Sequence, residues 1–481
     1  MGTASRVLPA VPIATLADYV AVGGGRGLDL ARKLGPAAVI DEVEASGLRG
    51  RGGAGFPTGI KWRTVAGYGS AELPATVVVN GAEGEPGTFK DRAILGANPF
   101  AGDEGALIAA LTVGADRAIV AVKHTFTAER ARLDRAIAEI SAAGWCGDVT
   151  VAVATGPSEY LFGEETGLLE VLAGRPPFPR IAPPFRHGVD EVGSEPDEPA
   201  GTRMAEPGGA GAPPTLVNNV ETIANIAPLL AEGAEWFRQV GTPESPGTIV
   251  CTVSGATRRH GIAEIALGTP LAEVIEAIGG GPVRGRRLVA AMSGVANPLV
   301  PAEAFTTPLT YEDMDRIGSG LGAGGFIVFD DRTDLAAVAA GVSRFLAVES
   351  CGQCTPCKQD GLALADLLGR VARSDANDDD LAGIADRVAT VADEARCFLA
   401  HQHQQVLDSI LRLFPDALRH HLQPGAAAVD PEPIVPIADL GVDDRFELDL
   451  TQLDKQPDWS FDPVDSGKTP VDRLAEGGEP A

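Results

Sequence analysis

The chain has 481 residues, enough for two to four domains that each bury a core of their own. Its formal net charge of −27 argues against nucleic acid as a partner, because phosphates would be repelled. No apolar run approaches the roughly 20 residues that span a bilayer, and the N-terminus lacks a signal-peptide pattern, so we expect neither membrane insertion nor secretion.

The first half of the chain has the pattern of a layered α/β domain. A β-branched run at 75–80 predicts a buried parallel strand, which ends in the polar loop GAEGEPGTFKD. Further elements alternate along the chain, as helices at 37–46, 99–112, 128–143 and 163–172 and as strands at 118–122 and 149–154. Such alternation is typical of a parallel sheet covered by helices.

The second half predicts a change of architecture. Residues 174–214 are rich in Pro, Gly and acidic residues and indicate a flexible surface loop, after which 214–230 returns to helix. Short strands and one helix beginning near Pro270 predict a small α+β module. We expect five parts: a lead-in at 1–36, an α/β domain at 37–240, the α+β module at 247–330, a helical domain at 333–422, and an acidic, largely extended or disordered tail at 424–481.

A glycine-rich loop, GLRGRGGAGFPTGIKW at 47–62, contrasts with the acidic remainder. It holds six glycines and no acidic residue, and Arg49, Arg51 and Lys61 are its cations. Glycine lets a ligand approach backbone N–H groups closely, and successive N–H groups form an anion-binding concavity. The loop therefore predicts a cradle for a phosphorylated cofactor, although it matches neither the P-loop nor the Rossmann fingerprint. A solvated glycine-rich loop is the alternative.

The sharpest chemical pattern is formed by cysteines. Cys351, Cys354 and Cys357 follow one another at x2 spacing, and Cys397 lies on helical ground beyond them. Three thiolates from one tight loop and a fourth from a distant segment suit a [4Fe–4S] cluster. A redox dithiol would leave two cysteines idle, a structural zinc site usually splits its ligands into two pairs, and chance clustering is a third alternative.

The other cysteines and the histidines predict no site. Cys146 and Cys251 lie in apolar patterns and indicate small core residues. Histidines beyond Cys397 are interpreted as helix-surface residues, namely His401, His403, His420 and His421. Because the cysteines do not form a disulfide framework, we expect a reducing, cytoplasmic location.

Several segments resemble the NADH-oxidising subunit of respiratory complex I, a family that includes the diaphorase subunits of NAD-linked hydrogenases and formate dehydrogenases. The glycine loop closely resembles that family's flavin loop, and ESCGQCTPCKQDG and RCFLAHQHQQV resemble its cluster segments. The resemblance covers about 36–422 and includes NGAEGEPGTFKDR, YLFGEETGLL, PTLVNNVET and YEDMDRIGSGLGAGGFIVFD. It implies an α/β fold with a Rossmann-like FMN-binding domain, a small α+β module of the ubiquitin-like, soluble-ligand-binding β-grasp type, and a C-terminal helical bundle holding the cluster.

The resemblance also implies the site residues, with no separate catalytic side chain. FMN would be held by Gly50, Arg51, Gly52, Gly53 and Lys61, chiefly at its phosphate end, with Asn80, Glu83, Tyr160, Gly163, Glu164, Glu165, Asn218 and Asn219 lining the rest. A nicotinamide dinucleotide would contact Phe56, Glu85 and Phe185. Taken singly, GEET can be the acidic first turn of a helix and the asparagine pair can be helix caps.

The chain departs from the family pattern mainly around the nicotinamide. Ala82 stands where the family has an Asp, Phe162 where it has a Cys, and Ala182 where it often has a basic residue. Arg63, Thr64 and Val65 occupy the stretch where the family commonly has an aromatic residue. The longer 174–214 loop offers replacement cations in Arg175, Arg180, Arg186 and Arg203.

Two hypotheses follow from this pattern. In the first, NADH or NADPH reduces FMN by two electrons, which pass singly through the [4Fe–4S] cluster to a partner, either an iron–sulfur or ferredoxin-like protein or a membrane-bound redox complex. In the second, the chain is an electron-transfer relay with FMN and cluster but without nicotinamide oxidation of its own. Ala82 and Ala182 favour the relay, whereas Phe56, Glu85 and Phe185 favour the enzyme.

Overall fold

The computed structural model describes residues 5–70, 73–189 and 213–457. Packing divides the chain into two units, of which the first takes residues within 1–83, 89–250 and 262–269. The second takes residues within 84–88, 251–261 and 270–481. Contacts thus group the α+β module and the helical domain expected from the sequence largely into one unit.

The first unit is built from eleven helices and four complete strands within its described residues. They are α1 (Leu16–Ala21), α2 (Arg26–Leu34), α3 (Pro36–Ser46), α4 (Thr58–Tyr68), β1 (Ala75–Gly81), α5 (Lys90–Ala97), α6 (Pro99–Val113), β2 (Ala115–Lys123), α7 (Thr127–Ala142), β3 (Thr150–Gly156), α8 (Glu165–Leu172), β4 (Thr215–Asn219), α9 (Val220–Ala224), α10 (Ile226–Glu232) and α11 (Ala234–Phe237). A 3-10 helix, Tyr160–Gly163, precedes α8. The predicted α/β alternation is confirmed.

The four strands form a parallel sheet with the order β3-β2-β1-β4. Val77, Val78 and Val79 of β1 are buried, as expected for a parallel strand covered on both faces. In the register between β1 and β4, Asn80 lies opposite Asn219. Since parallel strands end at the same edge, the asparagines expected to line a flavin meet there.

One stretch of the first unit differs from its predicted secondary structure. Residues Thr215–Asn219 form β4, although the sequence predicted a helix over 214–230. The run is short, and a few apolar residues in succession fit a buried strand as well as a helix. Pairing with β1 decides between the two, because it buries Leu216 and Val217 within the sheet.

The second unit contains a mixed sheet followed by helices. Its elements are α12 (Leu271–Gly279), β7 (Leu288–Ser293), β8 (Val300–Pro301), α13 (Tyr311–Arg316), β9 (Gly325–Asp330), α14 (Leu335–Glu349), α15 (Thr355–Ala372), α16 (Asp378–Thr390), α17 (Leu399–Leu413), α18 (Pro415–His420), β10 (Ile437–Leu440) and β11 (Phe446–Leu448), with β5 (Thr248–Gly255) and β6 (Gly261–Ala266) spanning the division between the units. From Cys251 onward β5 belongs to this unit, where it pairs parallel with β9, and β9 pairs antiparallel with β7. None of the helices among the described residues is long and apolar enough to cross a membrane.

The helices from α14 onward confirm the predicted helical region. Asp334 caps α14 by accepting hydrogen bonds from the N–H groups of Ala336 (2.9 Å) and Ala337 (3.0 Å). Nearly every residue of α14 is buried, which suits its run of alanine, valine and leucine. It therefore forms the centre of the helical part.

The prediction that all four histidines lie on helix surfaces is wrong for two of them. His403 in α17 is buried, its Nε2 lies 2.9 Å from the Ser343 hydroxyl, and burial lowers its pKa to about 3. His421 is buried too, with Nε2 2.9 Å from an oxygen of Asp334. Both rings pack toward α14, a partner that helical spacing alone does not reveal.

The described part of the tail also differs from the sequence expectation. Strands β10 and β11 form an antiparallel hairpin, and Leu450–Asp454 is a 3-10 helix. His260 anchors the hairpin, because its Nδ1 accepts a hydrogen bond from the Phe446 N–H at 3.0 Å. Residues 190–212 and 458–481, which include Arg203, most of the predicted loop and the end of the tail, lie outside the described residues.

Candidate functional site

The glycine loop follows α3 as a turn closed by its own backbone. The N–H of Gly50 donates to the carbonyl oxygen of Phe56 at 2.9 Å. Gly53 (φ +125°) and Gly55 (φ +63°) take backbone angles that favour glycine. The sequence therefore needs glycine at these two positions for the shape of the turn itself.

Arg51 is fully buried and fixes the loop through backbone carbonyl groups. Its guanidinium donates to the carbonyl oxygens of Thr248 (3.0 Å), Arg49 (2.8 Å) and Pro246 (3.2 Å). The backbone N–H of Arg51 donates to the Thr222 hydroxyl at 2.8 Å. These contacts hold the Arg51 guanidinium in the scaffold of the loop, and a contact of Arg51 with FMN stays a prediction.

Gly52 lies against the end of β4. A Cβ atom placed on Gly52 would come within 3.2 Å of the Cβ of Asn219. The loop and the asparagine pair are thus adjacent, although they are far apart in the sequence. Trp62 of α4 reinforces this arrangement by donating from its indole N–H to Asn218 Oδ1 at 2.8 Å.

Two more of the predicted flavin residues meet across α4 and α8. The ammonium group of Lys61 forms an ion pair with Glu165, and both side chains remain partly exposed, at 26% and 37%. Lys61 therefore carries its charge at the surface of the site, where an anionic ligand can reach it. Among the predicted cations of the loop, Lys61 fits the cradle role better than Arg51.

The end of β1 contacts the segment before α8. Asn80 donates from Nδ2 to the carbonyl oxygen of Gly163 at 2.8 Å. A Cβ on Gly163 would lie 2.9 Å from the carbonyl oxygen of Ala82, so the close approach requires glycine there. The neighbouring Tyr160 is half-buried within the 3-10 helix.

Glu164 and Asn219 cap helices, which for Asn219 is the alternative interpretation, while Glu165 lies in the acidic first turn predicted for GEET. Glu164 accepts hydrogen bonds from the N–H groups of Thr166 (2.9 Å) and Gly167 (2.7 Å) at the start of α8. Burial raises the pKa of Glu164, while these hydrogen bonds act in the opposite direction. Asn219 accepts from the Glu221 N–H at 3.0 Å at the start of α9. Capping orients both side chains at the edge of the sheet and leaves a role in ligand binding compatible with the structure.

A cluster of buried charges lies beside these residues and was not singled out from the sequence. Lys90 is completely buried, and its ammonium group donates to Asp91 Oδ1 (2.7 Å) and Asn219 Oδ1 (2.9 Å) and lies 3.1 Å from Glu221. Burial opposes the charge of Lys90, but the surrounding carboxylates prevail and raise its pKa. The only hint in the sequence was the Lys-Asp pair that ends the polar loop.

Glu83 belongs to the same cluster. Its two carboxylate oxygens accept hydrogen bonds from the N–H groups of Asp91 and Arg92, each at 3.2 Å. Burial, with a further contribution from Asp91, raises the pKa of Glu83 to about 7, and Lys90 acts in the opposite direction. Burial therefore favours the neutral form of Glu83 in the folded protein.

The residues expected at a nicotinamide are distributed over both units. Phe56 is 54% exposed in the glycine loop. Phe185 packs edge-on against Tyr68 with the ring centroids 5.2 Å apart. Glu85 belongs to the second unit, where it accepts a hydrogen bond from the Val295 N–H at 2.5 Å.

Two departures from the family pattern belong to one apolar cluster. Ala82 is 2% exposed and Phe162 is fully buried, and both pack with Val78, Leu168 and other apolar residues. A carboxylate at position 82 would be buried in this cluster, at a considerable desolvation cost. The loss of the acid and the gain of the aromatic ring are thus physically consistent with each other.

The described arginines of the 174–214 loop differ in their availability. Arg175 and Arg180 both form ion pairs with Glu170, at 2.5 and 2.9 Å. Arg180 also donates to the carbonyl oxygens of His187 (2.6 Å) and Gly188 (2.7 Å). These two side chains therefore hold the segment around Phe185 in place, and their contact with a dinucleotide stays a prediction. Arg186 is exposed.

The cysteines of the predicted cluster lie in the second unit. Cys354 is the N-cap residue of α15, Cys357 lies in the first turn of that helix, and Cys351 precedes both. The N–H of Arg396 donates to Cys354 Sγ at 3.3 Å, which brings the chain next to Cys397 to the first cysteine segment. The two segments expected to share a cluster therefore meet.

Cys357 is buried, the other three cysteines of the pattern are partly buried, and polar neighbours contact the sulfur atoms. Gln353 Nε2 donates to Cys351 Sγ at 3.4 Å, and the hydroxyl of Ser350 lies 3.2 Å from Cys357 Sγ. Burial raises the pKa of Cys351 and raises that of Cys357 to about 11. Within the part of the chain that the structure describes, no three His, Cys, Asp or Glu side chains form a group arranged to hold a metal ion. Four soft sulfur donors on two adjoining segments nevertheless match the ligand chemistry of a [4Fe–4S] cluster.

The remaining two cysteines are distant from this pattern in the sequence. Cys251 is fully buried in β5, as predicted for a core residue. Cys146 is partly buried and packs against the core of the first unit. The predicted core position is confirmed for Cys251, whereas Cys146 is only partly buried.

Comparison with known proteins assigns the two regions separately. Residues 43–228 match the model of the Nuo51 FMN-binding domain, and residues 337–421 match that of the NADH-ubiquinone oxidoreductase-F iron-sulfur binding region. The first range contains the glycine loop and the asparagine pair, and the second contains the four cysteines of the pattern.

Relatives align with most of the chain. The F subunit of NADH-quinone oxidoreductase of Rickettsia typhi is 35% identical over 80% of this chain and 89% of its own length. The protein of that name from Mycobacterium tuberculosis is 34% identical over 90% of this chain and 95% of its own length. A solved NAD+-reducing [NiFe]-hydrogenase in its H2-reduced state matches with a TM-score of 0.72 and 32% identity, covering 86% of this chain and 68% of that chain.

These relatives confirm the resemblance predicted from the motifs. The mixed α/β fold, with its parallel sheet and helices, agrees with that of the hydrogenase chain. Relatives more than 30% identical span most of both aligned sequences. The chain therefore belongs to the family of the NADH-quinone oxidoreductase F subunits and carries that family's FMN-binding domain and iron–sulfur binding region.

Proposed function

We propose that the chain oxidises NADH with FMN and a [4Fe–4S] cluster and delivers the electrons to a partner redox protein. The observation that carries this proposal is the convergence of four separate segments at one edge of the parallel sheet. Asn80 contacts Gly163 and Lys61 contacts Glu165, while Gly52 lies against Asn219. Bound FMN would supply the step from one hydride, which carries an electron pair, to single electrons, which a cluster accepts one at a time.

The side chains at this edge suit the parts of FMN. Lys61 offers a partly exposed ammonium group to the phosphate, beside backbone N–H groups of the glycine loop. The amides of Asn80, Asn218 and Asn219 suit hydroxyl groups and ring carbonyls. Gly50, Gly53 and Tyr160 complete the proposed lining, together with Glu83, Glu164 and Glu165. Arg51 supports the site by fixing the loop through hydrogen bonds to backbone carbonyl groups.

The cluster ligands are proposed to be Cys351, Cys354, Cys357 and Cys397. The hydrogen bond between the Arg396 N–H and Cys354 supports this set, because it joins the two cysteine segments. A cluster would also offset the raised pKa values of the buried thiols, since iron binds thiolates and releases their protons. The electron acceptor is proposed to be an iron–sulfur or ferredoxin-like protein or a membrane-bound redox complex. One relative is named as a subunit of NADH-quinone oxidoreductase and the solved neighbour is a NAD+-reducing hydrogenase, which supports a partner redox protein.

The finer architecture is part of the proposal. We describe the first unit as Rossmann-like, residues 247–330 as a β-grasp-like module, and residues 333–422 as the iron–sulfur domain. The mixed sheet with α12 and the helices from α14 onward support this division. The cytoplasm is the proposed location, on the sequence argument that the cysteines follow a ligand pattern.

Anaerobic stopped-flow absorbance tests the enzyme against the relay. The isolated chain, loaded with FMN and cluster, is mixed with NADH, with NADPH or with buffer. We expect NADH to bleach the flavin without any other protein. Bleaching that requires a partner protein would contradict the enzyme and favour the relay.

A variant sharpens the test at the nicotinamide. Ala182 is half-buried rather than enclosed, so Ala182→Lys adds a cation without burying it completely. We expect a lower KM for NADH, with Phe56, Glu85 and Phe185 as the remaining contacts. Ala82→Asp is the poorer restoration, because it inserts a carboxylate next to Phe162 in the apolar cluster.

A further inference from the structure

Lys90 is a fully buried cation whose position the flavin-site residues alone do not explain. It begins α5, and its ammonium group contacts Asp91, Asn219 and Glu221 at 2.7, 2.9 and 3.1 Å. Burying an ammonium group is costly unless it is paired and hydrogen-bonded. Its contacts with two carboxylates and one amide oxygen meet that requirement.

The contacts of Lys90 connect it to the glycine loop through Asn219. Asn219 Nδ2 donates to Asp91 Oδ2 at 2.7 Å, so Asp91 bridges Lys90 and Asn219. Together they hold both ends of the Asn219 amide, which fixes the orientation of its oxygen and nitrogen atoms. Asn219 in turn lies against Gly52, at 3.2 Å from an added Cβ.

The same cluster determines the charge of Glu83. Three carboxyl groups face two cations here, since Glu83, Asp91 and Glu221 lie near Lys90 and Arg51. Burial and, to a lesser extent, Asp91 raise the pKa of Glu83 to about 7, against the effect of Lys90. Burial also raises the pKa of Glu221, against the effects of Lys90 and Arg51. The cluster therefore has one acid in excess.

We propose that Lys90 is a positioning residue of the flavin site, which orients the Asn219 amide from within the buried charge cluster. The inference rests on the proposed flavin site, because Asn219 and Glu83 are among its lining residues. Lys90 acts through its neighbours, so its removal changes both the affinity for FMN and the response of that affinity to pH. A lysine with a purely structural role would change stability alone.

Two variants with opposite electrostatic effects test the proposal. Lys90→Met keeps an unbranched side chain of similar length and removes the cation, whereas Asp91→Asn keeps the shape and removes an anion. Lys123→Met is the matched control: Lys123 is a buried lysine in β2 whose ammonium group donates to the carbonyl oxygen of Ser158 at 3.0 Å. FMN is the probe, and quenching of its fluorescence gives the Kd of each apoprotein across mildly acidic to mildly alkaline pH.

We expect Lys90→Met to weaken FMN binding by at least about tenfold, since the Asn219 amide loses a charged partner. The pH at which the affinity for FMN changes should move upward in Lys90→Met and downward in Asp91→Asn. The control should leave that pH unchanged. The opposite directions matter because a loss of folding would not produce them.

The outcomes separate this inference from the proposed function. If the wild type binds FMN and neither variant moves the pH response, Lys90 has no positioning role and the inference is wrong, while the flavin site stands. If the wild-type apoprotein does not bind FMN at all, the proposed flavin site fails and the inference fails with it. If Lys90→Met does not fold, Asp91→Asn alone decides, through the downward shift or its absence.

Discussion

The flavin edge of the first unit and the cysteine segments of the second unit are organised by different forces. At the flavin edge, the protein's own charges hold the site together, as in the pairs Lys61–Glu165 and Lys90–Asp91. At the cysteine segments, the sulfur atoms receive hydrogen bonds from neutral donors such as Gln353 and the Arg396 N–H. The residues of the flavin edge are therefore held by contacts within the protein, whereas in the second region the binding of iron would convert thiols to thiolates.

This difference explains why burial affects the protonation of ionisable groups differently in the two regions. Lys90 stays protonated in its buried position because carboxylates surround it. Cys357 has a pKa raised to about 11, since burial outweighs the hydrogen bond from Ser350. The flavin edge should therefore keep its arrangement without cofactor, and the cysteine segments should gain order with the cluster.

We expect the largest effect from a variant that loses the iron–sulfur cluster and keeps FMN. Cys354→Ser replaces a thiolate ligand with a hydroxyl group, so iron and labile sulfide should fall from about four each per chain to almost none. FMN content should stay at the wild-type level, because its proposed ligands lie in the first unit. Iron, sulfide and flavin analysis after anaerobic purification provide the measurement.

Cys146→Ser is the control for this variant, since Cys146 lies outside the ligand pattern. It should keep both cofactors. Stoichiometric zinc without labile sulfide in the wild-type protein would show that the cysteines hold a different metal.

We expect the next largest effect from a variant that weakens FMN binding and keeps the iron–sulfur cluster. Gly52→Val places a branched side chain where a Cβ alone already lies 3.2 Å from Asn219. We expect the affinity for FMN to fall by roughly a hundredfold or more, about 3 kcal/mol. Fluorescence titration measures the Kd, and iron content should be unchanged.

Gly67→Val in α4 is the matched control, because a Cβ at Gly67 meets no atom within 4 Å. It should bind FMN like the wild type. Equal affinities in the Gly52 and Gly67 variants would mean that the cradle lies elsewhere.

A smaller effect concerns the buried charges and pH. The pKa of Glu83 is raised from 4.5 to about 7 in the folded protein, so folding favours the protonated form. The stability that this provides is fully present below about pH 4.5 and is lost as the pH rises through 7. Over this window the group should contribute a fall of up to about 3 kcal/mol in the free energy of unfolding.

Glu83→Gln removes this titration and should flatten the pH dependence between pH 4.5 and 7. Urea unfolding at several pH values gives the two slopes, and exposed Glu235→Gln serves as the control. A slope identical to that of the wild type would show that Glu83 does not titrate in this range.

The smallest effect concerns the partly exposed cation of the cradle. Lys61→Ala removes an ammonium group that is 26% exposed, so solvent already screens its interaction with a phosphate. We expect an increase in the Kd for FMN of about tenfold, with normal folding. Lys33→Ala, on an exposed position of α2, should have no effect, and an unchanged Kd for Lys61→Ala would remove Lys61 from the site.

The sequence alone determined the chemistry of both regions. Cysteines at x2 spacing predict a set of thiolate ligands from the sequence, because ligand type depends on residue identity. The glycine loop was recognisable because its turn requires glycine, as Gly53 and Gly55 confirm with positive φ angles. Strands and helices with a strong hydrophobic period, such as β1 and α6, were predicted to within a few residues.

Only the tertiary structure decided which charges reach the site. Arg51 and Lys61 look alike in the sequence, yet Arg51 is fully buried against backbone carbonyl groups and Lys61 remains partly exposed. Lys90 and Glu221 come together from segments about 130 residues apart, a distance over which no local pattern acts. Position 82 is apolar for a similar reason, since Phe162 packs into the same cluster. Burial and pairing depend on contacts between distant segments, and the free energy of a charge depends on both.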